Sequence, residues 1–134
     1  MRLSRRQAGG SRLLLVEQDP HVIDELRDHF GGAMFECEVA LNIDTAWQVL
    51  DERRMDAIVV DAENESVDIE KIPDLIPKLK EKDEEMRVVI FNGVSDKPIQ
   101  RKMRRLGADG YLSVKSDLSA VVRSVRRVLG METS

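Results

Sequence analysis

Met55-Asp56-Ala57-Ile58-Val59-Val60-Asp61 sets four uninterrupted apolar residues between two acids. A stretch that short is too brief for a helix. Being apolar at every position rather than every second one, it needs cover on both faces, as does a strand inside a parallel sheet. Leu13-Leu14-Leu15-Val16 and Val88-Val89-Ile90-Phe91 repeat the pattern on either side. Phe35 to Leu41 alternates instead, with Phe35, Cys37, Val39 and Leu41 against Glu36, Glu38 and Ala40, which is the habit of an edge strand. Gly110 to Val114, carrying Tyr111-Leu112, supplies a fifth strand.

Helical stretches separate the strands. Asp19-Pro20 predicts an N-cap with proline at the first helical position; Val22, Ile23, Leu26 and Phe30 then form an apolar stripe that Gly31-Gly32 ends. Asp44 is expected to cap a second helix carrying Ala46, Trp47 and Leu50. A third spans Leu75 to Lys82, its start blurred by Pro73 and Pro77. Ser95 opens a fourth, with Ile99, Met103 and Leu106 inward and Gly107 as its stop. Ser116 opens a fifth, with Leu118, Val121, Val122, Val125 and Val128 inward and Gly130 at its end.

Strand and helix thus alternate through the whole chain. Right-handed crossovers fold such a sequence into an α/β three-layer sandwich, a doubly wound (βα)5 flavodoxin-like arrangement with parallel sheet order 2-1-3-4-5. Ligands of such sheets bind beyond the carboxyl ends of the strands, where the connections from strands 1 and 3 diverge. Those ends are Glu17-Gln18-Asp19 and Asp61-Ala62-Glu63. The pattern therefore places two acidic turns at one site.

The composition narrows the function classes. With 134 residues, 42% hydrophobic and 34% charged, the chain suits one soluble globular domain and excludes disordered and membrane-spanning classes. Residues 12–130 are expected to form that domain, 1–11 a flexible arm or cloning remnant, and 131–134 a C-terminal tail. Arg2, Arg5 and Arg6 precede no apolar run, so an export signal is not indicated. The lone Cys37 rules out an intrachain disulfide and fits a reducing, cytoplasmic setting. Charge is polarised: Asp61 to Met86 holds ten acidic and four basic residues, Lys97 to Gly130 two acidic and nine basic. Such a chain suits charged partners or ions. Without interleaved aromatics or a reading helix, nucleic acid is the weaker choice. His21, Glu25 and His29 recur at four-residue steps but read as a solvated helix face. No glycine-rich phosphate loop supports a nucleotide or other organic cofactor, a flavin included.

At the acidic turns the sequence resembles the receiver domains of bacterial response regulators, from about Arg12 to Gly130. Leu14-Leu15-Val16-Glu17-Gln18-Asp19-Pro20 resembles the first strand and its acidic turn. Leu50 to Asp61 resembles the second helix leading into the phosphoacceptor strand. Leu106-Gly107-Ala108-Asp109-Gly110-Tyr111-Leu112 resembles the approach to the fifth strand. The resemblance implies that Asp61 is the phosphoacceptor and a metal ligand in two-component phosphorelay signalling, with Glu17 the first acid holding magnesium.

The same comparison implies departures. The second acid is Gln18, a poorer magnesium ligand, so the ion would be weakly bound. Glu63 could hold the metal or repel the phosphoryl group. The phosphate-contacting hydroxyl is replaced by Asn92, and the expected lysine position holds Val114, with Lys115 one place later on the other face of the strand. Tyr111 matches the switch aromatic. The face of helix 4, strand 5 and helix 5, bearing Arg101, Lys102, Arg104, Arg105, Arg123, Arg126 and Arg127, matches the partner surface for a histidine kinase, an output protein or domain, or a homodimer. No independent enzyme activity is expected beyond self-phosphorylation. Two functions follow: an atypical receiver acting by protein–protein contact with phosphorylation at Asp61 weakened or absent, or a phosphoacceptor switch served by a histidine kinase and magnesium.

Overall fold

The uniformly apolar strands need helices on both faces, and a computed structural model of the chain, which describes residues 11–31, 35–94, 96–113 and 117–131, shows how they obtain them. Strands β1 (Ser11–Val16), β2 (Phe35–Ala40), β3 (Ala57–Asp61), β4 (Arg87–Phe91) and β5 (Gly110–Tyr111) form one parallel sheet in the order β2-β1-β3-β4-β5. Helices α1 (Pro20–Gly31), α2 (Ile43–Glu52), α3 (Ile72–Lys82), α4 (Lys97–Leu106) and α5 (Leu118–Val128) connect and follow them. This is the flavodoxin-like order expected.

Successive strand residues point to opposite layers. Leu14, Val16, Ile58, Val60, Val88 and Ile90 pack with α2, α3 and α4, meeting Ala46, Ile76, Leu79 and Met103. Leu13, Leu15, Val59, Val89 and Phe91 pack with α1 and α5, meeting Leu26, Phe30, Val121 and Val125. Phe30 and Phe35 join α1 to β2 edge-to-face, with ring centroids 5.3 Å apart.

Several local expectations are corrected. Ala40, assigned to the outer side of β2, is fully buried in the α2 layer, while Leu41 lies past the strand end and is 57% exposed. The cap of α2 is Asn42, whose side chain accepts the Thr45 N–H at 2.8 Å; Asp44 sits in the first turn. Helix α3 starts at Ile72, because Pro73 falls in the first turn, where its missing N–H is not needed, and the helix runs through Pro77. Helices α4 and α5 begin one residue later than serine caps would set them, with Asp96 and Asp117 at the cap positions; Ser95 and Ser116 lie outside the described residues. Strand β5 is two residues long rather than five. At the domain edges, Ser11 opens β1, and Met131 packs on the α1 and α5 layer.

Candidate functional site

Strands β1 and β3 run parallel with Val16 opposite Val60, so the next residues, Glu17 and Asp61, emerge side by side at the carboxyl end of the sheet. Both are buried, at 1% and 7% exposure. Glu17 Oε1 accepts the backbone N–H groups of Gln18 at 3.0 Å and Asp19 at 3.1 Å, which wraps the turn around the carboxylate. Among the described residues Glu17 Oε2 finds no donor. Its carboxyl neighbour is Asp61. Two ionised carboxylates can only accept, so a proton or a cation must lie between them. Burial, reinforced by the neighbouring Asp61, lifts Glu17 from 4.5 to about 8, so the site favours a proton there when no cation is bound.

Asp61 Oδ1 accepts two further bonds, from the Glu63 N–H at 2.9 Å and from Asn92 Nδ2 at 3.0 Å. Asn92 stands where a phosphate-contacting hydroxyl was expected, and it holds a left-handed backbone at φ 59°. Asparagine tolerates that region better than most side chains. Its Oδ1 is buried and, among the described residues, has no donor.

Gln18 occupies the second acidic position but is exposed, and its Oε1 accepts the Glu65 N–H at 3.2 Å. The amide therefore ties the loop after β1 to the loop after β3. Glu63 is exposed and reaches Asp61 through its backbone. Among the described residues no group of three or more His, Cys, Asp and Glu side chains is placed to hold a metal ion. His21, Glu25 and His29 are all exposed. Lys115 and Val114 lie outside the described residues.

Asn64 was not anticipated. It is 2% exposed, and its Nδ2 donates to the Leu41 carbonyl at 3.0 Å. Its Oδ1 accepts the Ser66 N–H at 2.9 Å and the Ser66 hydroxyl at 2.6 Å. Ser66 Oγ in turn accepts the Ile43 N–H at 2.9 Å. Asn64-Glu65-Ser66 reads in sequence as turn chemistry, but its grip on the start of α2 depends on tertiary approach.

Tyr111 is turned inward. The ring is 5% exposed, the hydroxyl accepts the Val94 N–H at 2.9 Å, and burial raises its pKa above the ordinary tyrosine value. Past the β5 edge, α4 exposes Lys97, Arg101, Lys102, Arg104 and Arg105 and carries no acid. Arg123 and Arg127 are exposed on α5 and Arg126 is half-buried; Arg123 lies 3.8 Å from Asp117.

The parallel sheet in this strand order, with Glu17 and Asp61 side by side at its carboxyl end, is the setting for the comparison with known families. Residues 13–126 match the family model of the response regulator receiver domain. The chain belongs to that family. No curated protein matches it. Among solved structures, a response regulator from Thermotoga maritima superposes with TM-score 0.75 at 18% identity, covering 90% of this chain and 98% of that one. An atypical orphan response regulator gives TM-score 0.73 at 18% identity, covering 92% and 98%. TrrA from Thermotoga maritima, in complex with Mg(2+)-BeF, gives 0.69 at 15%, covering 88% and 98%. These likenesses carry the fold.

Receiver domains are signalling modules rather than classical enzymes, and they bind magnesium at the phosphorylation site. The donor set of this receiver fits a divalent cation in part: the orphaned Glu17 Oε2 and the Asp61 carboxylate would hold it, while the Gln18 oxygen is already engaged by Glu65. Such an ion would supply charge neutralisation for an incoming phosphoryl group. None of the described helices is long and apolar enough to cross a membrane.

Proposed function

We propose that this receiver is a cytoplasmic interaction module in which phosphoryl transfer to Asp61 is weakened or absent. The observation that carries the reading is Gln18, a neutral amide in the second acidic position with its oxygen on the Glu65 N–H. A carboxylate attacks phosphorus only when charge building on the phosphoryl oxygens is offset by a hard cation and hydrogen-bond donors. One carboxylate fewer around that cation lowers its affinity. A fold neighbour is described as an atypical orphan response regulator with a phosphorylation-independent regulatory mechanism, which gives the reading a precedent.

The α4–β5–α5 face is the docking surface in this reading, for an output protein or domain or for a kinase. Its exposed cations favour an acidic partner. A homodimer formed by setting α4 against α4 would bring like charges together.

The phosphoacceptor reading is the second one, favoured by Glu17 Oε2, whose unmet lone pairs beside Asp61 suit a cation. One experiment separates the two. The protein is incubated with magnesium and acetyl phosphate and its intact mass recorded beside Asp61→Asn. No added phosphoryl group in either protein supports the interaction module. A phosphoryl adduct on the parent protein that Asp61→Asn abolishes establishes the switch.

A further inference from the structure

We infer that Gly93 fixes Tyr111 in its inward position, so that the place of the switch aromatic is set by the residue at 93 and not by events at Asp61. A Cβ on Gly93 would lie 2.4 Å from Tyr111 Cζ, 2.4 Å from its hydroxyl oxygen and 2.9 Å from Cε1. Side chains do not approach so closely, so with any other residue at 93 the outer end of the ring has to leave this place. The notch cannot widen freely: the Gly93 N–H donates to the Leu112 carbonyl at 2.9 Å, and the Leu112 N–H to the Ile90 carbonyl at 2.8 Å. These bonds sew the loop after β4 to the end of β5.

With no side chain at 93, the ring settles on the backbone and gains two sources of hold. Its hydroxyl accepts the Val94 N–H at 2.9 Å, and its body joins the core layer that includes Ile90, Met103 and Ala108. Every one of these contacts is made by the protein itself, and none passes through Glu17 or Asp61. The neighbouring residue does the opposite job, Asn92 holding Asp61 through its amide. One peptide therefore separates the part of the loop that attends to the acidic site from the part that seats the ring. The functional meaning deepens the interaction-module reading and rests on it: the surface shown to a partner keeps one shape.

The chain has a single tyrosine, so protein labelled with 13C at tyrosine Cζ gives one ring signal. The inference expects that signal away from the position of a solvent-exposed tyrosine, and unmoved when magnesium and beryllofluoride are added. Gly93→Ala is expected to move it to the exposed position with far-ultraviolet circular dichroism unchanged, because the clashing atoms are the outer end of a ring that can swing out. A parent signal already at the exposed position, a parent signal moved by beryllofluoride, or an unmoved signal in folded Gly93→Ala overturns the inference. If Gly93→Ala does not fold, the two measurements on the parent protein still decide. Bound beryllofluoride is read separately by its own 19F resonance. Tight binding with an unmoved ring overturns the reading of Asp61 as weakened and leaves the seating by Gly93 standing.

Discussion

Asn92 reaches Asp61 from a backbone turned to φ 59°, its Nδ2 3.0 Å from the carboxylate oxygen. Side-chain chemistry and backbone geometry therefore favour the same residue type. A β-branched hydroxyl residue would supply a donor but strain the left-handed backbone. Asn92→Thr is expected to lower stability by about 1–3 kcal/mol. Asn92→Gly, which loses the amide but relaxes the backbone, should cost less. Urea denaturation checks the order, and a threonine variant as stable as the parent contradicts it.

Glu17 gives the metal-free protein a pH dependence of known sign. Its folded-state value of about 8 lies above the ordinary 4.5, so its contribution to stability is fully present below pH 4.5 and is lost as pH rises toward 8. At about 1.4 kcal/mol per pH unit, the loss across the window is on the order of a few kcal/mol. Glu17→Gln should flatten this slope and be the more stable protein at high pH. Denaturation midpoints taken in chelator at several pH values will show parallel curves for the two proteins if the assignment is wrong.

On the proposed reading, Gln18 limits the cation. Replacing its amide with a carboxylate, Gln18→Asp, is expected to tighten magnesium binding by roughly tenfold or more, worth about 1.4 kcal/mol. Isothermal titration calorimetry, or the rise in thermal midpoint with magnesium concentration, provides the measurement. Equal affinities in the two proteins would remove Gln18 as the cause of weak binding.

Gly110 and Ser124 form a second close contact, between β5 and α5. A Cβ on Gly110 would fall 2.6 Å from Ser124 Oγ, a buried hydroxyl with no hydrogen-bond partner among the described residues. Gly110→Ala is expected to destabilise by about 1–3 kcal/mol through overpacking. Ser124→Ala should be neutral or stabilising, since it removes an unsatisfied polar atom. The double variant should recover part of the loss, and strict additivity in a double-mutant cycle would disprove the contact.

Uniform apolar runs such as Ala57 to Val60 betray a sheet covered on both faces, which is why strand order and the meeting of Glu17 with Asp61 were legible in the sequence. Boundaries were less so. Asn42 and Asp44 are both competent caps, and only the Asn42–Thr45 bond distinguishes them. Pro73 looked like an obstacle to α3 because its harmless place in the first turn is invisible until the start of the helix is known. Alternation misassigned Ala40 and Leu41 because β2, though an edge strand, is covered on both faces along part of its length. In the site, what escaped were relationships across space: Asn64 with Leu41, and the bare backbone of Gly93 under the Tyr111 ring. No local pattern records such a distance.

The bonds from Asn64 to Leu41 and from Ser66 to Ile43 make the segment after Asp61 and the first turn of α2 one mechanical piece. Any shift of that segment must either snap those bonds or carry the α2 terminus with it. A disturbance at Asp61 therefore has a lateral route toward the β2 margin of the molecule, on the side opposite α4.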